Sequence, residues 1–531
     1  MIKNIKWLLL VSLTFVACNN DDETIVVSNS SDGAPLTSGT ADFSNYVALG
    51  NSLTSGYSDG ALFIEGQKGA YPNILAQQFA LVGGGEFKIP FMNDNLGGLL
   101  FGGATNPKFG TRLYFDGAGP VSVSGTPSTE VFAPHSGSYN NMGVPGAKSY
   151  HLLFDGYGNP SNLSLGLANP YFVRFATAPN KSILQDAMAQ LPTFFSLWIG
   201  NNDVLGYATA GGVTTAQDPE FGGDITPSAG APGIGFDGTY TAIINTLTSA
   251  GAKGVVANIP YVTSVPFFTT VVPNQIPGLA PSQVTDLNQL FGGINAALTS
   301  AGLPKRFSTL IADDGNPATA ESNPLLIVDE TLINISAQIT TVLTPKFGPQ
   351  DAAFLGNQYG RARHARSTAG DRDYILLTAA SLIRPTPLGN NIEPELPAGL
   401  TPTFAARGVT FPLQDASVLT ADETAQVKTA TDAYNATIKS LADSKGLAFV
   451  DANSALNDVA TKGVSANGFT LSSTYVTGGA FSLDGVHPSP RGYALIANEF
   501  IKAINAKYGS NLKGVDLGNY RILFPANPLA F

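Results

Sequence analysis

Four short apolar runs, each closed by a turn-forming or acidic residue, constrain the fold most: residues 46–50, 191–200, 254–260 and 447–451. Runs of this length bounded by turn signals fit strands buried on both faces. Helical periodicity fills much of the space between them. Residues 71–80 carry Ile74, Leu75 and Phe79 at helical spacing, 241–249 look helical, and 420–444 place Val427, Ala430, Tyr434, Ile438 and Leu441 on one stripe behind a Thr420 or Asp422 cap. A last helix opens with Ser489 as cap and Pro490 in the first turn, and buries Tyr493, Ile496, Ala497, Phe500, Ile501 and Ile504. Alternation of this kind predicts a three-layer α/β/α sandwich with a parallel central sheet.

The chain has 531 residues, 44% of them apolar or aromatic and 13% charged, enough to build a sizeable core. Residues 81–138 are dense in glycine and lack periodicity, so they read as an irregular excursion beside the first strand's loop. Residues 206–239 read as a long loop. Between 260 and 420 the pattern is muddled, with one helix over 281–301, an apolar run at 374–378 and a proline-rich stretch at 384–402. Without a repeat or a clean linker, the expected organisation is a single domain over 43–531 carrying an insertion at about 266–419. Substrate choice is expected to reside in that insertion.

The first residues read as a targeting signal. Lys3 and Lys6 precede an apolar stretch at 7–17 that is too short to span a bilayer, so residues 1–17 are expected to be a signal peptide. Phe15-Val16-Ala17-Cys18 resembles a bacterial lipobox, with Phe15 where leucine is usual. That resemblance makes Cys18 the lipidated first residue of the mature protein. As Cys18 is the only cysteine, no internal disulfide can form. Residues 18–42 form a flexible tether, and Asp21-Asp22-Glu23 in it is similar to the surface-export signal of lipoproteins in Bacteroidetes-type bacteria. A solvated linker with incidental charge is the alternative. The expected location is the cell envelope, lipid-anchored to the outer membrane. A net charge of −11 argues against nucleic acid or an anionic membrane surface as partner, leaving the anchor as the membrane contact.

Chemistry-bearing residues sit near the two ends of the chain. Ser52 follows the first apolar run, and Asp484 stands three residues before His487. An alcohol nucleophile needs a base within hydrogen-bond reach and a third group to orient that base. Taken singly, each segment has a plain structural reading: Gly50-Asn51-Ser52-Leu53-Thr54 lacks the second glycine of a nucleophile elbow and could be a turn, and Asp484 and His487 could cap a helix.

Two further segments lie between them in sequence, Asn141-Met142-Gly143-Val144-Pro145-Gly146 and Gly200-Asn201-Asn202-Asp203. With all four in this order, the chain resembles the SGNH, or GDSL-type, hydrolases. The resemblance implies Ser52 as nucleophile, His487 as general base and then acid, and Asp484 as its orienting partner. It also implies an oxyanion hole made by the backbone N–H groups of Ser52 and Gly146 and the side-chain amide of Asn202, with Gly143 nearby as the other candidate glycine. Asn51 stands where the family has aspartate, and Asn201 where glycine is common. The implied activity is that of a serine ester hydrolase, an esterase or lipase working through an acyl-enzyme with no metal and no cofactor. Its substrate would be a small-molecule, polysaccharide or lipid ester. The alternative is a non-catalytic surface lipoprotein that keeps the fold to bind glycan.

The remaining histidines, His135, His151 and His364, lack partner spacing and read as surface or satisfied structural residues. Arg361, Arg363, Arg366 and Arg372 read as a solvated basic loop, with a clamp for an anionic substrate as the alternative. Trp198 and Tyr207 could line a pocket, though Trp198 sits in an apolar run and fits the core better.

Overall fold

The computed structural model describes residues 35–213, 223–276, 279–316, 321–383, 396–527 and 529. The expected signal peptide, Cys18 and the first part of the tether lie outside the described residues. Five parallel strands form the central sheet: β1 (Tyr46–Gly50), β2 (Asn141–Gly143), β3 (Phe194–Trp198), β4 (Lys253–Ala257) and β5 (Ala448–Val450), in the spatial order β5-β4-β3-β1-β2. The principal helices are α1 (Ser52–Ser55), α2 (Tyr71–Ala80), α3 (Asn202–Thr209), α4 (Phe236–Thr248), α5 (Pro281–Ser300), α6 (Ser336–Tyr359), α7 (Ala421–Lys445), α8 (Ala452–Thr461) and α9 (Pro490–Tyr508). The protein is thus mixed α/β, with a parallel sheet flanked by helices.

Local chemistry accounts for the element ends. Thr420 and Glu423 close a capping box at the start of α7, and Gly446 ends that helix in the left-handed conformation. Ser489 accepts from the Gly492 N–H to cap α9. Side chains alternate across the strands. On one face Phe194 and Trp198 meet Phe79 and Tyr71 of α2 and Phe500 of α9, with ring centroids 5.6, 5.7 and 6.0 Å apart for the Phe79–Phe194, Tyr71–Trp198 and Trp198–Phe500 pairs. Helices α4 and α7 pack together through Phe236 stacked on Tyr434 at 4.1 Å.

β1 lies between β2 and β3, so the chain leaves β1 to one side and returns on the other. Crevices at the carboxyl ends of strands form at such a switch point. Gly50 is level with Gly143 and with Trp198, which brings the loops after three strands together.

Residues of the 271–418 region gather into a second hydrophobic cluster, which includes Phe291 and Ile294 of α5, Leu326 and Ile327, and Ile339 and Tyr359 of α6. Helix α6 breaks at Gly348, whose φ is 77°, between Pro345 and Pro349. Here the basic-loop expectation fails for one residue. Arg363 is buried, with Nε 2.6 Å from Asp329 Oδ2 and its other nitrogens on Asp373, because two carboxylates offset the cost of burying its charge. Among the described residues, no helix is long and apolar enough to cross a membrane.

A Cβ on Gly143 would lie 2.4 Å from Ser55 N and 2.7 Å from Thr54 C, so this glycine lets α1 rest against β2. Gly143→Ala should lower the free energy of urea unfolding by about 1–3 kcal/mol. An unchanged midpoint would mean that α1 moves off the strand freely.

Candidate active site

Ser52 is the first residue of α1, two residues past the end of β1. Asn51 caps this short helix, its Oδ1 accepting from Leu53 N–H at 3.0 Å, and Asn141 Nδ2 donates to Thr54 O at 2.9 Å. Asn51 therefore fixes the turn that presents Ser52, a task asparagine performs as well as aspartate. The loop before α9 brings His487 Nε2 to 2.9 Å from Ser52 Oγ, with Nδ1 2.9 Å from Asp484 Oδ2. Because a carboxylate only accepts, the Nδ1 position carries the hydrogen and Nε2 is left to accept from the serine hydroxyl.

Asp484 also accepts from the N–H groups of His487 at 2.8 Å, Val486 at 2.9 Å and Gly60 at 2.9 Å. Burial alone would raise its carboxyl. The charge and hydrogen bonds of His487, with the Val486 N–H, outweigh burial and hold it at about 2. Asp484 thus stays ionised opposite the imidazole.

The opposite wall comes from the loops after β2 and β3. Gly146 turns the first loop with φ 83°. Asn202, the first residue of α3, donates through Nδ2 to Ala147 O at 3.0 Å, which fixes its amide and leaves its second N–H. Asp203 ties the two loops together by accepting from Ser149 N–H at 2.8 Å and Ser149 Oγ at 2.6 Å. Burial raises the Asp203 carboxyl against the pull of these bonds. Ser52, Gly146, Asn202 and His487 all line one cavity of about 220 Å³. The N–H of Ser52, at the first position of a helix, has no intrahelical partner. Every site residue expected between 52 and 487 therefore converges on one place.

The remaining histidines are structural. His151 Nδ1 accepts from Lys148 N–H at 3.0 Å, His364 Nδ1 accepts from Ser308 N–H at 2.8 Å, and His135 lies against Arg174. Burial lowers His151 to about 3 and His364 to about 4. Trp198 is buried and donates to Asn258 O at 3.0 Å.

Sequence reasoning missed the residues that join the two halves of the site. Asp59 N–H donates to Ser482 Oγ at 3.0 Å, Leu483 N–H donates to Asp59 Oδ1 at 2.8 Å, and Ser58 Oγ donates to Pro488 O at 3.2 Å. The Tyr57 ring stands 4.7 Å from the His487 ring. Asp59-Gly60 carries a turn signal, but nothing in the sequence pairs that turn with a loop so distant along the chain. Compared with known proteins, the chain matches no family model, no curated protein and no solved structure.

Asp59 Oδ2 is buried without a hydrogen-bond partner, and burial pushes this carboxyl up to about 7, with Leu483 N–H and Arg112 opposing and Asp484 adding to the rise. The unfolded carboxyl titrates near 4. Between about pH 4 and 7 the folded chain keeps a proton that the unfolded chain has lost, so stability falls as pH rises through this window. Asp59→Asn keeps the acceptor for Leu483 and removes the ionisation. At pH 8 the variant should be more stable than the parent by about 1–4 kcal/mol in urea unfolding, with the gap closing below about pH 4. Equal stability at both pH values would contradict the assignment.

Proposed function

We propose that this chain is a serine ester hydrolase of the three-layer SGNH type. The observation that carries the reading is the unbroken line from Asp484 through His487 to Ser52, both links 2.9 Å long, facing the cavity that Gly146 and Asn202 share. His487 Nε2 takes the proton of Ser52 Oγ as that oxygen attacks the ester carbonyl. The oxyanion forms against the N–H groups of Ser52 and Gly146 and the amide of Asn202. His487 returns the proton to the departing alcohol, leaving an acyl group on Ser52. A water, deprotonated by His487, then attacks the acyl carbon; the proton goes back to Ser52 and the acid departs.

Asp484 orients the imidazole and stabilises its charged form without accepting the proton. The donors work because they are fixed before charge develops, and a single such donor is worth roughly 3–4 kcal/mol. Anchorage through a lipidated Cys18 at the outer membrane belongs to the same proposal and is supported by the residues around the cysteine.

Ser52→Ala should reduce kcat for p-nitrophenyl acetate by at least about 1,000-fold while leaving the unfolding midpoint near that of the parent. Asn202→Ala should lower kcat about 100- to 1,000-fold with a small change in KM. Parent-like turnover by folded Ser52→Ala would remove the proposal.

A further inference from the structure

A second cavity, of about 120 Å³, also reaches Ser52 and His487 and runs beneath them between α8, α9 and the loop after β4. Its wall is built mainly from aliphatic side chains, among them Val262, Val265, Leu456, Val459, Leu495 and Ile496. Val450, Val459, Phe481 and Phe500 in the same wall are buried. Apart from groups beside the triad, its polar members are Tyr261 and Glu499, both partly exposed.

We infer that this cavity holds the acyl chain, and that the substrate is an ester of an unbranched fatty acid of about eight carbons. The inference rests on the esterase reading. A single water needs about 10–15 Å³ of such space, so the cavity has room for roughly eight to twelve groups of that size, and an acetyl methyl would leave most of it unfilled. A sugar entering it would give up hydration without regaining hydrogen bonds from an aliphatic wall. An alkyl chain loses nothing there and removes apolar surface from water.

The two cavities meet at Ser52 and His487, so a carbonyl carbon attacked by Ser52 divides its two substituents between them. The 220 Å³ cavity is walled in part by Lys108, which is exposed, and by the polar Asn202 and Thr209. The alcohol must leave in the first half of the reaction, whereas the acyl group stays attached until water arrives. The aliphatic cavity suits the group that stays. None of the described residues of 266–419 lines either cavity, so acyl length is set by α8 and α9 rather than by the insertion.

Kinetics on p-nitrophenyl esters from acetate to dodecanoate test this. In the parent, kcat/KM should rise two- to fourfold for each added methylene up to about eight carbons, placing octanoate at least about fiftyfold above acetate. Ala455→Trp, which fills the cavity from α8, should lower the octanoate-to-acetate ratio at least about tenfold. Should that variant fail to fold, the parent series decides alone. Acetate turned over readily with a flat or falling series overturns the acyl cavity and leaves the esterase intact. A flat acyl series combined with preference for octyl acetate over ethyl acetate would reassign the cavity to the alcohol and overturn the inference. Absence of Ser52-dependent hydrolysis across all of these esters overturns the esterase reading, and the inference with it.

Discussion

Four hydrogen bonds seat residues 58–60 on the loop that carries Asp484 and His487: Ser58 to Pro488, Asp59 to Ser482, Leu483 to Asp59, and Gly60 to Asp484. Each is worth about 0.5–1.5 kcal/mol net, so together they hold the loop with a few kcal/mol. Their larger effect is geometric. The imidazole meets Ser52 because the segment just after Ser52 grips the loop just before α9, and Gly60 N–H shares an oxygen of Asp484 with His487. The two halves of the site are set by one seam, and the sheet register sets the other wall.

The parts of this arrangement that repeat locally were readable in the residues. Strands β1, β3 and β5 lie within the predicted apolar runs, β4 begins at Lys253, one residue before its run, and α2 covers the predicted 71–80. β2 escaped notice as a strand: Asn141–Gly143 spans three residues without an apolar run, and only its pairing with β1 makes it one. Helix α4 begins at Phe236, earlier than the expected 241, and α3 occupies the start of a predicted loop. Helix α6 was illegible because Pro345, Gly348 and Pro349 interrupt its period. The site residues stood out through order along the chain; Asp59 did not, since its partners are fixed by tertiary contact alone.

The insertion has its own hydrophobic cluster and touches the site at one edge, where Phe267 N–H donates to Gly485 O at 2.9 Å. It buttresses the histidine loop from outside while the two cavities are walled by the α/β core and, at Lys108 and Phe109, by the 81–138 excursion. Arg363 is paired with Asp329 and Asp373 in the same region.

The central claim is that Ser52 is a nucleophile activated by His487. Intact-mass and peptide mapping after treatment with a fluorophosphonate tests it without reference to any substrate. The account predicts a single adduct, located on Ser52, with labelling slowed at least about 100-fold in His487→Ala. An adduct on another residue, or none in a folded protein, would contradict it.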